Sequence, residues 1–149
     1  MTNLSIQQEE TLDEQHFPYF GYSLIRDVLL PDLLGNESHQ ILYWSGKALA
    51  RKYPLPQQED LLSFFLKAGW GILTVTEEKR RELELVLSGD VVEKRLKDAP
   101  NASFHLEAGF IAEQIQLQKN CIAESYLELK GKQNKVLITV KWDKKDIIE

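Results

Sequence analysis

Residues 103–119, SFHLEAGFIAEQIQLQK, carry apolar side chains on two opposite sides of one helix, and few folds can accept such an element. At about 100° per residue, Phe104, Ala108, Ile111, Ala112 and Ile115 form one stripe, while Leu106, Phe110 and Leu117 lie nearly opposite. A helix apolar on two sides has to be sandwiched, most simply between a sheet and other helices. Gly109 and the alanines let neighbouring backbones approach closely, although a mid-helix glycine costs ~1 kcal/mol relative to alanine. His105 projects beside the first stripe, and Glu107 projects with Gln114 and Gln118 onto a polar strip. Positions two apart on a helix do not face each other, so His105 and Glu107 make a poor acid–base dyad. A catalytic role for His105 with Glu107 or Glu113 requires that they converge in a solvent-reachable cleft.

The rest of the chain supplies those layers. Residues 1–16 read as a flexible N-terminal tail, because their few apolar positions cannot offset the entropy of ordering. A single domain is expected over 17–149. FPYFGYSLIRDVLLPDLLG (17–35) has helical spacing at Tyr22, Ile25, Leu29 and Leu33, and Pro31 is expected to bend or end that helix. A second helix, capped by Asn36 or Ser38, runs to about Tyr53 before Pro54 and Pro56. A third covers 57–69, with acids in its first turn and Gly69 as its C-cap.

The period then changes to two. WGILTVT (70–76) and ELELVLSG (82–89) read as a hairpin around the charged EEKRR, with Leu83, Leu85 and Leu87 on one face. DVVEKRLKD (90–98) is a short amphipathic helix, followed by a turn at Pro100-Asn101. Strands at 123–130 and 135–142 flank GKQN, and Val136, Ile138, Val140 and Trp142 line one face. Helices, hairpin, helix, hairpin is the order of an α+β fold, with helices packed on an antiparallel sheet of about four strands.

Several function classes are excluded by what the chain lacks. A net charge of −5 disfavours non-specific binding to nucleic acid or anionic lipid, and the short basic groups, such as Lys79-Arg80-Arg81, lie among acids. No apolar run reaches the ~20 residues that span a bilayer, and the polar, acidic N-terminus is not a signal peptide. The lone cysteine, Cys121, allows no internal disulfide and suits a reducing cytoplasm. Cys121 reads as a buried small hydrophobe, with a reactive or acylated thiol as the alternative. His16, His39 and His105 lack metal-site spacing: HExxH, paired CxxC and His-x-His are all absent. The serines before Gly46 and Gly89 do not sit in GxSxG, and GWG (69–71) follows a helix and opens a strand, the reverse of a phosphate loop. No metal, no cofactor and no enzymatic activity are expected.

Aromatic residues are the more suggestive group. Trp44, Phe64, Phe65, Trp70, Phe104 and Phe110 come from every core element. They either fill a core or line an apolar pocket, since ligand sites are mostly apolar clefts with few polar groups.

GWGILTV, a strand ending in VLSG, the SFHLEAGFIAEQI helix and two strands around KGKQN follow one another in an order that resembles the 4-vinyl reductase domain. That domain shares a superfamily with the TRAPP Golgi-transport subunits and the haem nitric-oxide-binding sensors. The resemblance spans about residues 20–142. More closely, YWSGKALARKYPL and its surroundings resemble a small uncharacterised Bacillus family, the YslB-like proteins. The superfamily implies helices on an antiparallel sheet, an apolar ligand cavity and a tendency to dimerise. The gas sensors' Tyr-x-Ser-x-Arg motif does not follow His105, so no haem site carries over. The closing strands have no cysteines, so no metal site carries over either, and Cys121 does not match the acyl-linked cysteine of the transport subunits.

The function expected from this reading is a non-enzymatic cytoplasmic module that binds a small apolar ligand or a protein partner. Its pocket would be lined by Trp44, Phe64, Trp70, Phe104, Ala108 and Phe110, with His105 as a polar contact. The alternative is a homodimeric scaffold with a filled core and no ligand, marked by exposed apolar residues on the first two helices.

Overall fold

The structure is a computed structural model that describes residues 18–99 and 101–147. The expected N-terminal tail, and Pro100 of the expected turn, lie outside the described residues. The chain opens with α1 (Tyr19–Ser23), a π-helical turn (Leu24–Leu29) and α2 (Leu30–Leu34). A 3-10 turn (Gly35–Glu37) leads into α3 (Ser38–Lys52), and α4 spans Gln58–Ala68. The strands β1 (Ile72–Lys79) and β2 (Glu82–Ser88) come next, followed by α5 (Asp90–Asp98) and α6 (His105–Lys119). The strands β3 (Cys121–Lys130) and β4 (Lys135–Ile147) close the fold.

The four strands form one antiparallel sheet in the order β1-β2-β4-β3. Leu83, Leu85 and Leu87 of β2 pair with Val140, Ile138 and Val136 of β4, and all six side chains are buried. Strand alternation thus works as the sequence indicated, because a period of two leaves Glu82, Glu84 and Lys141 on the wetter face. The strands run further than the sequence reading had them. Glu77, Glu78 and Lys79 are paired residues of β1, so the turn is confined to Arg80 and Arg81. β3 lies at one edge of the sheet, and side chains take two of its amides. Ala123 N–H donates to Gln116 Oε1 (3.2 Å), and Ser125 N–H donates to the Tyr43 hydroxyl (3.0 Å).

α6 lies between the sheet and α3, with both of its sides buried from Glu107 to Ile115. The crossing with α3 is close because glycines meet backbone there. A Cβ on Gly46 would collide with the Leu106 carbonyl oxygen, and one on Gly109 with the Tyr43 carbonyl oxygen. α4 has a capping box between Gln57 and Asp60 and ends at Gly69 in the left-handed conformation, φ 74°.

Pro31 does not end the first helix, one of the two outcomes expected of it beside a bend. It sits in the first turn of α2, where its missing N–H costs little, and the chain breaks instead at Gly35, φ 69°. The distortion falls before the proline, in the π turn.

Candidate functional site

The π turn has a chemical consequence. Its wider winding lets Arg26 and Asp27, adjacent in sequence, both reach inward toward α5 and α6. Arg26 Nη2 donates to Glu107 Oε1 at 2.7 Å, and its Nη1 donates to the Tyr22 hydroxyl at 2.7 Å. Arg95 Nη2 donates to Asp27 Oδ1 at 2.9 Å and to the Ser103 carbonyl at 2.7 Å. Arg95 Nη1 reaches Glu107 Oε2 at 3.4 Å, and its guanidinium lies 4.1 Å from the centroid of the Phe104 ring.

Two cations and two carboxylates therefore balance within the fold, with Arg95 and Glu107 fully buried. Burial alone would raise the Glu107 carboxyl, but Arg26 and Arg95 override it and hold the group below the usual carboxylate range. Burial disfavours the Arg26 cation, yet Glu107 and Tyr22 keep it more strongly protonated than usual. The Tyr22 phenol is pushed up to about 12, by burial first and then by Glu107. Such a network locks three elements together; every carboxylate in it is already committed to a cation.

His105 has other hydrogen-bond and stacking partners. Its Nδ1 lies 3.0 Å from Ser103 Oγ, which also accepts its backbone N–H at 3.3 Å, and its ring stacks on His39 at 4.2 Å. Glu113 is nearly buried and lies 3.4 Å from Arg51. His105, Glu107 and Glu113 thus point to three different sets of partners. Among the described residues, no cluster of three or more His, Cys, Asp or Glu is placed to hold a metal ion. Cys121 is buried.

The aromatic candidates separate into groups. Phe64, Trp70 and Phe110 touch one another, with centroids 4.6 Å (Phe64–Phe110), 5.3 Å (Trp70–Phe110) and 5.6 Å (Phe64–Trp70) apart. Phe65 closes the cluster against Trp70 and Phe110. Phe104 is buried beneath Arg95, and Ala108 is buried on α6. Trp44 stands apart from these rings at 59% exposure, because α3 turns Leu42, Gly46 and Ala50 inward instead. It borders an open groove of about 530 Å³ that His39, Tyr43, Lys47, His105, Glu124 and Ser125 also line.

A different surface was only partly legible. Phe20, Leu24, Ile25, Val28, Leu29 and Leu33 are all exposed, from 43% to 72%, along α1, the π turn and α2. Ile25, Leu29 and Leu33 carried helical spacing in the sequence, and a core-facing stripe would show the same spacing.

Helices on a four-stranded antiparallel sheet, with one helix held between layers, define an α+β protein of the vinyl-4-reductase-like fold. A vinyl-4-reductase family protein from Methanocaldococcus jannaschii superposes with a TM-score of 0.58 at 18% identity, covering 96% of this chain and 97% of that one. The chain belongs to the family described as "Protein of unknown function (DUF2507)", whose pattern matches residues 19–141. It is 49% identical over 137 residues to the uncharacterized protein YslB of Bacillus subtilis (strain 168), covering 92% of this chain and 93% of that protein. A trafficking protein particle complex subunit 3 from Naegleria fowleri, covalently bound to palmitic acid, is also similar, with a TM-score of 0.43 at 11% identity over 97% of this chain and 92% of that one. No helix among the described residues is long and apolar enough to cross a membrane.

Proposed function

We propose that this chain is a non-catalytic cytoplasmic interaction module that pairs with a second copy of itself through the apolar face of α1, the π turn and α2. The exposed strip from Phe20 to Leu33 carries this reading. It runs roughly 20 Å at helical rise, and monomers rarely leave so long an apolar patch in water. Asp32 is the one exposed charged residue between 18 and 34, in a protein that is 28% charged. A two-fold contact sets each surface against itself, so a nearly uncharged strip is self-compatible where a charged one would repel.

The contacts among Phe64, Phe65, Trp70 and Phe110 support a filled interior over an apolar ligand cavity. The separate partners of His105, Glu107 and Glu113 support a non-catalytic role.

Native mass spectrometry and sedimentation from 1 to ~100 μM test the reading, a range that brackets typical affinities of modest interfaces. The expected result is a bare-mass dimer that Leu29→Glu with Leu33→Glu converts to a folded monomer. A wild-type monomer throughout, or a dimer that the double variant leaves intact, overturns the proposed surface. Excess mass seen only under native conditions would instead return the ligand reading.

A further inference from the structure

His39 and His105 stack nearly in parallel, with centroids 4.2 Å apart and 21° between planes. One ring comes from the second residue of α3 and the other from the first residue of α6, so the pair joins the starts of the two crossing helices. His39 also lines two concavities. On one side is the groove bordered by Trp44, and on the other a cleft of about 260 Å³ among Arg26, Pro31, Leu42, Asn101 and Ser103. His39 is the residue they share, and His105 braces it from the groove side.

The geometry suits neutral rings. A second positive charge at stacking distance repels the first. His105 is the first residue of α6, at the positive end of the helix dipole, where a cation is disfavoured. Ser103 Oγ accepts the His105 backbone N–H and lies 3.0 Å from Nδ1, where its own hydrogen can serve a neutral ring of the matching tautomer.

The neighbouring charges do little to reverse this. Glu107 favours a charged His105, but its oxygens are held by Arg26 and Arg95. Lys47 and Tyr43 of α3 and Glu124 of β3 face the pair across the groove, with the Lys47 cation over the Tyr43 ring. Arg26 and Asp27 face it from the cleft, and Asp27 is bound by Arg95.

We propose that the His39–His105 stack is an acid-released clasp, closed while the His105 ring is neutral and opened when that ring takes up a proton, so that groove and cleft become continuous. The sign follows from His105, whose pKa is lowered first by burial and then by His39. The folded chain binds this proton more weakly than the unfolded one. Stability is therefore full above the ordinary value of 6.5 and is lost as pH falls below it toward the lowered folded value.

The test is an NMR titration of the full chain from pH 8 to ~5.5, above the range where ordinary carboxylates protonate. Histidine ring protons and the Trp44 indole N–H are followed together. The expected result is that the Trp44 signal shifts with the His105 midpoint. In His39→Phe, which keeps an aromatic ring but removes the imidazole, that midpoint should rise toward 6.5 and the Trp44 shift should vanish. An unchanged His105 midpoint in the variant overturns the clasp. Should the variant fail to fold, a wild-type Trp44 signal that ignores the His105 titration overturns it equally.

Discussion

Gly46 and Gly109 meet at one helix crossing from opposite sides, each pressed against the backbone of the other's helix. Gly46 lies against the Leu106 carbonyl and the Phe110 amide, and Gly109 against the Tyr43 carbonyl. Backbone cannot retreat as a side-chain tip can. Gly109→Ala should therefore destabilise by about 3 kcal/mol, even though alanine is the better helix former by ~1 kcal/mol. Urea denaturation of Gly46→Ala and Gly109→Ala measures it, and a gain in stability for either would contradict the packing described.

Glu107→Gln removes the carboxylate from between two buried guanidiniums. Breaking a buried pair in this way costs about 3–5 kcal/mol, because the remaining charge is left without compensation. The pH dependence has a definite sign. The folded Glu107 carboxyl is held below its ordinary value of 4.5, so its contribution is present above that pH and lost as pH falls below it. Denaturation midpoints measured from pH 6 to ~3 should fall steeply in wild type and less steeply in the variant.

Gln114 is fully buried yet polar, and it holds the segment after α3. Its Oε1 accepts from Leu55 N–H at 2.9 Å and its Nε2 donates to the Tyr53 carbonyl at 2.8 Å. Gln114→Leu leaves both backbone groups without those partners, at a cost of about 2 kcal/mol. Amide hydrogen exchange should quicken at Leu55 before it does in the sheet.

The tryptophans should divide by burial. Trp70 is packed against Phe64, Phe65 and Phe110, so Trp70→Ala should cost about 3–5 kcal/mol. Trp44 is 59% exposed, and Trp44→Ser should change stability by less than about 0.5 kcal/mol. Thermal unfolding of the two variants decides the matter.

The fold was readable where local periodicity meets burial. Leu83, Leu85 and Leu87 announce their face because a strand's period is two, and the 103–119 helix announces its sandwiched place because apolar residues surround it. The ion network was not readable. Glu107 finds Arg26 81 residues away, and Arg26 and Asp27 face inward together on a π turn. Sequence spacing registers neither. The exposed strip was ambiguous for another reason: Ile25, Leu29 and Leu33 have the same spacing whether a helix faces its own core or a second chain.

The amide of Ser125 ends on the Tyr43 hydroxyl, and the amide of Ala123 ends on Gln116. An open strand at a sheet margin is the usual seed for fibre growth, since each arriving chain finds a ready ladder of hydrogen bonds. Here part of that ladder is already occupied from within. At this margin a further strand arriving edge to edge finds two of its rungs taken, by side chains of the two neighbouring helices.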